Sequence, residues 1–345
     1  MKILLLLLVT SLSIAAHAQS DNELPYLTKS LASAAIEKIV AETSGGNITV
    51  NGVAAAETKI EVYIHGNNGR NKLSKEEIEK KLAEDYDLTV TTTGHELTAI
   101  AKSKPRTRNN WNSSLSISFK IYAPLNVSTH IITSGGNISL THLTGTQDFT
   151  TSGGNLHIDD LKGKIKGVTS GGNIHLFNSG SDITLTTSGG NIEAKNNEGK
   201  LGLTTSGGNV TLESLKGNID ATTSGGNVNG NNISGQLEAA TSGGNVSLQD
   251  MSCSLSASTS GGHISVNMKE LTGYVKLSNS GGHIDLQIPG NKGVDLKMTG
   301  DKISMITASS TFMGKNESGR VEGTLNGGGI PITIKGDSRV SLIVK

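Results

Sequence analysis

Asparagine recurs at a fixed spacing in this chain, and its amide suits either structural or ligand-binding chemistry. It returns every 18 residues, each time directly after Ser-Gly-Gly, at Asn137, Asn155, Asn173, Asn191, Asn209, Asn227 and Asn245. A side-chain amide both donates and accepts hydrogen bonds, so stacked amides can bond to each other and to backbone groups beside them. The spacing therefore predicts a structural asparagine ladder in preference to a ligand site.

Histidine takes the asparagine position in the last two copies, as His263 and His283. Their ring nitrogens can continue the ladder. A metal site is the alternative use of two such rings, but no cysteine or carboxylate accompanies them at ligand spacing.

A second polar column stands on the opposite side of each repeat and raises the question of calcium. Its members are Asp160, Asn178, Asn196, Ser214, Asn232 and Asp250. Calcium-bound repeats of the same length carry an aspartate ligand in every turn, and that recurring aspartate is missing here. Asx residues at tight turns explain the column equally well, so calcium binding stays an alternative.

Acidic side chains are the candidates for polysaccharide chemistry, which needs clustered acids and bases. They occupy several different columns, at Asp159, Asp160, Glu193, Glu213, Asp220, Asp250 and Asp285. The possible sugar-stacking rings, Phe177 and Tyr274, stand far apart, and His175 reads as an exposed neighbour of His157. The sequence therefore assigns no catalytic residue, no cofactor-binding residue and no metal ligand, and a polysaccharide-active enzyme stays an alternative.

Two further features have a plain and a sharper interpretation. Cys253, the only cysteine, stands where neighbouring repeats have glycine, so we interpret it as a small residue at a tight turn; a reactive or intermolecular thiol is the alternative. The basic stretch of Lys102, Lys104, Arg106 and Arg108 predicts a solvated loop, with contact to an anionic glycan as the alternative.

Threonine and serine form regular outward pairs of the form Thr-x-Ser. They occur at Thr150/Ser152, Thr186/Ser188, Thr204/Ser206 and Thr222/Ser224, with Val168 and Ala240 interrupting the threonine column. Regular threonine arrays are typical of ice-binding solenoids. The interruptions weaken that match, and ice binding stays an alternative.

The elements that position these residues follow from the apolar pattern of one repeat. From Ser206 to Thr223, Val210 and Leu212 alternate with polar residues, and Ile219 and Ala221 do the same. Period-two alternation predicts two short strands per repeat, separated by a Gly-Gly corner with positive φ and by a Leu-x-Gly turn. A fixed period predicts stacking of the repeats. We therefore expect an all-β, right-handed parallel β-helix (a β-solenoid) with 18-residue coils.

The remaining chain divides around this array. Residues 1–18 read as a signal peptide, with an apolar run from Ile3 to Val9 and a small-residue cleavage site that ends at Ala18. Residues 19–133 form an N-terminal β-rich segment with a first coil and an excursion that bears one short helix, started by a capping box at Ser74 and Glu77. Residues 134–345 form the array, with degenerate closing coils after Gly290.

The overall composition limits the partners. The 30 basic and 30 acidic residues balance, which disfavours nucleic acid, and no later segment is apolar for long enough to predict a membrane helix. With 44 glycines and 3 % aromatic residues, the chain suits a narrow solenoid filled by aliphatic side chains. We expect a soluble, exported protein of the periplasm, outer-membrane surface or extracellular space.

The order of the segments resembles a family of bacterial envelope proteins. An early ETSGGNITVNGV, an excursion, and then YAPLNVSTHIITSGGNISL with the array are similar to β-strand-repeat proteins described as adhesins, which contain a domain of unknown function. The resemblance covers about residue 39 to the C-terminus. It implies a right-handed parallel β-helix and a non-enzymatic role in adhesion, with a cell-surface glycan or envelope protein as partner.

Overall fold

The computed structural model describes residues 24–66, 73–105, 114–307 and 310–345. Within these ranges the protein is all-β, apart from one α-helix and one short 3-10 turn, and its strands join into a long multi-stranded sheet. The all-β prediction is confirmed. The predicted signal peptide and the new N-terminus at Gln19 lie outside the described residues.

The elements before the array comprise α1 (Lys75–Asp85), the 3-10 turn (Ala55–Glu57) and eight strands: β1 (Leu27–Ser30), β2 (Lys38–Thr43), β3 (Ile48–Val53), β4 (Lys59–Gly66), β5 (Tyr86–Thr93), β6 (Glu96–Ser103), β7 (Leu115–Pro124) and β8 (Ser128–Thr133).

The array contains β9 (Ile138–Thr151), β10 (Leu156–Thr169), β11 (Ile174–Phe177), β12 (Gly180–Thr187), β13 (Ile192–Lys195), β14 (Glu198–Thr205), β15 (Val210–Thr222), β16 (Val228–Ala240), β17 (Val246–Thr259), β18 (Ile264–Met268), β19 (Val275–Asn279) and β20 (Ile284–Ile288). The C-terminal strands are β21 (Val294–Thr299), β22 (Lys302–Thr307), β23 (Phe312–Glu317), β24 (Arg320–Leu325), β25 (Ile330–Gly336) and β26 (Arg339–Val344).

Strands of neighbouring repeats pair in parallel, with equivalent residues side by side. Leu156 lies opposite Ile138 on one side and Ile174 on the other. Ile183 likewise lies between Ile165 and Leu201. Identical columns therefore run from repeat to repeat through the backbone hydrogen-bond ladder.

The pairings form two rows, which we name A and B. Row A runs in the order β5, β6, β2, β8, the second halves of β9 and β10, β12, β14, the second halves of β15, β16 and β17, and β19, β25, β21, β24, β23. Row B runs in the order β1, β4, β7, β3, the first halves of β9 and β10, β11, β13, the first halves of β15, β16 and β17, and β18, β20, β26, β22.

Both rows send every second side chain into one shared core, because side chains alternate along a strand. Ile174 and Leu176 of row B and Ile183 and Leu185 of row A are all fully buried. One repeat alone would leave this apolar set in water, so burial depends on the repeats on either side.

The Leu-x-Gly turn does not separate two short strands in every repeat, which corrects that prediction. In β10 the strand continues from Leu156 to Thr169, although Asp160 has a φ of 51° and Gly163 a φ of 118°. Leu161 and the residues after it still pair with the preceding repeat. A bend that is identical in adjacent repeats can keep its ladder, because both chains bend together.

The N-terminal excursion covers the first repeat. Strands β2 and β3 lie inside the rows, with β6 and β7 on their outer side. Beyond these, β5 and β4 pair antiparallel, so the parallel ladder ends there. Helix α1 has the predicted capping box between Ser74 and Glu77, and Leu82 is its buried residue.

The C-terminal strands correct the prediction of a closing coil. Strands β25 and β26 are last in sequence, yet they lie between β19/β20 and β21/β22. The final segment therefore inserts into the stack and does not close it. Antiparallel β24 and β23 continue row A beyond β21.

Candidate binding surface

The Ser-Gly-Gly-Asn corner is held by a buried threonine that lies at the end of the preceding row A strand or directly after it. Thr187 donates through Oγ1 to the carbonyl oxygen of Gly172 in the preceding repeat (2.8 Å) and accepts the N–H of Gly190 in its own corner (3.2 Å). The same two bonds recur at Thr133, Thr151, Thr169, Thr205, Thr223, Thr241 and Thr259. Sequence reasoning missed this role of the threonine.

The asparagine ladder exists, but in a different form from the predicted one. Asn155 Oδ1 accepts the backbone N–H of Asn173 (2.7 Å), and Asn173 Oδ1 accepts that of Asn191 (2.8 Å). These bonds run from backbone to side chain, not from amide to amide, and the side chains are half-buried or exposed. At each corner the amide points out of the core and along the stack. Its oxygen therefore reaches the backbone N–H of the asparagine in the next repeat.

The second glycine of each corner is required by close approach rather than by positive φ. A Cβ at Gly172 would collide with the carbonyl oxygen of Gly154, and one at Gly190 with that of Gly172. Neither residue has the positive φ that we expected. Glycine is therefore required at the second position because the backbones of successive corners touch.

His263 and His283 continue the ladder through a ring nitrogen, as predicted. The backbone N–H of His283 donates to His263 Nδ1 (3.0 Å), and the two rings stack with centroids 4.9 Å apart. Within the described ranges, no group of three or more His, Cys, Asp or Glu side chains is placed to hold a metal ion.

The second polar column marks left-handed turns. Asp160, Asn178, Asn196, Ser214, Asn232 and Asp250 all have φ between 51° and 57°. Asn and Asp tolerate this conformation better than other non-glycine residues. Their backbone conformation thus accounts for the column.

Cys253 is a core residue and not a turn residue, which corrects our interpretation. It is fully buried within β17, opposite Gly235, and has no positive φ. Burial raises the pKa of its thiol to about 12. A thiol that stays protonated is a poor nucleophile.

The predicted basic loop is only partly described. Lys102 lies 3.0 Å from Glu42, and Lys104 lies 3.6 Å from Asp87 and donates to the carbonyl oxygen of Ala83. These two lysines therefore have partners in the chain. Arg106 and Arg108 lie outside the described residues.

The Thr-x-Ser pairs do point outward, but not on one flat strand. Thr204 is an exposed residue of β14, whereas Ser206 lies in the bend that follows it. The same division applies to Thr150 and Ser152.

The outer face of row B carries a chain of contacts that sequence reasoning missed. His175 Nδ1 lies 3.1 Å from Glu193 Oε2, so His175 is more than a free exposed ring. Lys195 Nζ lies 2.9 Å from Glu193 and 3.2 Å from Glu213. Hydrogen bonds from Lys195 and His175 keep the pKa of Glu193 below its usual value, although partial burial opposes this. The sequence did contain a signal for these contacts: Lys195 stands two residues after Glu193 in one strand and 18 residues before Glu213, directly opposite it on the next strand.

A polar groove of about 470 Å³ lies beside this face, at the turn side of four successive repeats. Its lining includes Asp160, Lys162, Asn178, Glu198, Ser214 and Lys216. The groove forms where the buried position of Leu161 is taken by the polar residues Ser179 and Asn197 in the next two repeats. At this change Ser179 N–H donates to Asn197 Oδ1 (2.8 Å), and Asn197 Nδ2 donates to the carbonyl oxygen of Leu176 (3.0 Å).

The sequence matches a known protein family. Residues 36–248 and 231–338 match the model of the family described as Toastrack DUF4097. The chain belongs to this family. Toastrack membership agrees with the solenoid-like, all-β architecture and confirms the resemblance at the level of a family of unknown function.

Solved structures also align with this Toastrack chain over nearly its whole length. A "putative adhesin" from Parabacteroides distasonis is 13% identical, covering 92% of this chain and 96% of its own, with a TM-score of 0.37. A "putative adhesin" from Bacteroides fragilis is 14% identical, with 92% and 95% covered and a TM-score of 0.26. A "putative lipid binding protein" from Parabacteroides distasonis is 13% identical, with 93% and 97% covered and a TM-score of 0.30. No curated protein matches the sequence.

Proposed function

We propose that this Toastrack chain is a non-enzymatic, exported cell-envelope protein that acts as an adhesin or surface-interaction scaffold. The observation that carries the proposal is the outer face of row B. Its outward side chains form two continuous lines across the repeats, from Ser139 to Asp285 and from Thr141 to Gln287. Such a face offers many weak polar contacts along its length, which suits attachment to an extended partner.

The proposed architecture is a right-handed parallel β-helix with 18-residue coils, from 134 to the C-terminus, after an N-terminal segment of residues 19–133. The parallel register of equivalent residues 18 positions apart supports this. The handedness follows from the general preference of parallel β-strand crossovers.

Export to the periplasm, outer-membrane surface or extracellular space is part of the proposal. The apolar run from Ile3 to Val9 and the Ala16-His17-Ala18 site support a cleaved signal peptide. In the parts of the chain that the structure describes, no helix has the length and apolar character to span a membrane. Mass spectrometry of the exported protein should show a chain that begins at Gln19; recovery of intact Met1 outside the cytoplasm would contradict the cleavage.

Binding to the envelope tests the proposed role. Purified protein from residue 19 onwards should bind cells and isolated envelope fractions of the producing bacterium, and proteolysis of intact cells should report its surface exposure. The partner is a cell-surface glycan or an envelope protein. Failure to bind any envelope fraction would overturn the proposed function.

A second function is favoured by one observation, the His175–Glu193–Lys195–Glu213 contacts. Acid and base groups within hydrogen-bond reach are a requirement of polysaccharide cleavage. A reducing-sugar and unsaturated-product assay on a polysaccharide panel separates the two functions. Release of product by the wild-type protein, abolished in Glu193→Gln, would favour the enzyme.

A further inference from the structure

One phenylalanine ring stands on the outer face of row B. Of the four phenylalanines in the chain, Phe119 and Phe149 are fully buried and Phe312 packs against the core. Phe177 follows the buried Leu176 in β11, so it points outward, where it is half-buried. A large apolar ring on a polar face has no packing role of the kind that the other three fulfil.

Polar side chains surround this ring on both sides. Asp159 and Lys195 lie directly opposite Phe177 on the neighbouring strands. The rings of His157 and His175 lie 5.9 Å and 6.1 Å from it, between centroids. The arrangement combines one apolar platform with hydrogen-bonding groups at its edge.

The polar groups next to the ring are already ordered. His175 contacts Glu193, and Lys195 lies between Glu193 and Glu213. Side chains held in place before binding lose little conformational entropy when a ligand arrives. The site is therefore organised without a ligand.

The polar groove adjoins the ring. Asn178 follows Phe177 directly, lines the groove, and donates through Nδ2 to Asp159 Oδ1 (2.8 Å). The face and the groove are thus one continuous surface, with a flat part and a recessed part.

We propose that this surface, comprising His157, Asp159, His175, Phe177, Glu193 and Lys195 with the adjoining groove, binds an uncharged polysaccharide of equatorially linked pyranose units. The inference rests on the proposed function and names its ligand class and its site. The apolar C–H face of a pyranose can stack on Phe177, whose ring face is electron-rich. Hydroxyl groups both donate and accept, so they can pair with the carboxylates, the imidazoles and the ammonium group.

The shape and charge of the face favour this ligand over other classes. A flat strand row matches a flat, extended sugar chain better than a helical one. Around the ring, the carboxylates of Asp159, Glu193 and Glu213 outnumber the ammonium group of Lys195. In the groove, Asp160 and Glu198 are matched by Lys162 and Lys216, so the surface as a whole carries more acidic than basic groups, which disfavours an anionic polymer.

Calorimetry with defined oligosaccharides tests the proposal. Protein from residue 19 onwards is titrated with cellohexaose and chitohexaose, which are extended, and with maltohexaose, which is helical. We expect at least one extended sugar to bind and maltohexaose to bind at least about tenfold more weakly. Phe177→Ala should weaken binding of the extended sugar at least about tenfold, and Lys195→Met should weaken it as well.

Matched variants and a second assay make the outcomes decisive. Tyr274, 39% exposed and outside this surface, is the aromatic control, and Tyr274→Ala should leave affinity unchanged. Unaltered thermal unfolding of Phe177→Ala shows that the variant is folded. Absence of binding to both extended sugars, equal binding of maltohexaose, or unchanged affinity of Phe177→Ala would each overturn the inference. Envelope binding that persists in Phe177→Ala would overturn it too, while leaving the proposed function standing.

Discussion

Threonine hydroxyls carry the buried hydrogen bonds of each corner, and this gives a prediction at the scale of one residue. Thr187→Val keeps the shape of the side chain but removes a group that pairs with Gly172 and Gly190. Both backbone partners are buried, and a buried polar group without a partner costs about 1–3 kcal/mol. We expect the free energy of unfolding to fall by that amount in a denaturant titration.

A threonine of the same strand is the control. Thr184 lies in β12 and is exposed, so Thr184→Val should change stability by no more than about 0.5 kcal/mol. Asn173→Ala should lie between the two variants, because the Asn191 N–H that it leaves can reach water. Equal midpoints for Thr187→Val and Thr184→Val would contradict the stabilising role of the Thr187 hydroxyl.

The thiol of Cys253 gives a second prediction at the residue scale. Burial raises its pKa to about 12, so at mildly alkaline pH almost none of it is thiolate in the folded protein. We expect iodoacetamide to label the native protein very slowly and the guanidinium-unfolded protein rapidly, as read by intact mass. Rapid labelling of the native protein would show that β17 opens locally.

Among the elements, strands and helix could be predicted because each depends on a local pattern. Alternation placed Val210, Leu212, Ile219 and Ala221 at the inward positions of strands, and all four are buried in β15. The corners could not be predicted fully, since they depend on contacts between repeats. Nothing in one repeat shows that Gly172 touches Gly154, or that Gln147, fully buried in an aliphatic column, pairs with Thr129 and Val127.

The candidate site likewise has one part that the sequence predicts and one part that depends on contacts between repeats. Asn173 and His263 could be placed in one column from spacing alone, because the period fixes the register. The surface around Phe177 could not, since it depends on side chains from adjacent strands in two columns, and on the exchange of Leu161 for Ser179 in the next repeat.

Helix α1 provides the prediction at the element scale. Ser74 Oγ accepts the N–H of Glu77, and replacing such a cap with alanine costs about 0.5–2 kcal/mol of helix stability. Because the helix lies outside both rows, Ser74→Ala should speed amide exchange in α1 and leave exchange in the array unchanged. Lys80→Ala, at an exposed position of the same helix, is the control. Faster exchange throughout the array would mean that α1 supports the whole stack.

At the scale of the molecule, the order of the rows differs from the order of the chain at both ends. Strands β2 and β3 are covered by the later β6 and β7, and β25 and β26 lie inside the earlier β21 and β22. At each end of the stack, earlier strands are therefore held by a segment that comes later in the chain and folds back onto them. Loss of the returning segment should affect strands that precede it by dozens of residues.

Leu342 tests this topology. It is fully buried in β26, opposite Leu286 of β20 and Met305 of β22. Leu342→Ala should cost about 2–5 kcal/mol through lost burial and the cavity left behind. Because β26 lies between them, amide exchange should rise in β20 and β22 together, whereas Ser341→Ala, a half-buried neighbour that alternates to the outer face, should change neither. If exchange rose in β26 alone, the C-terminal segment would not be an internal layer of the stack.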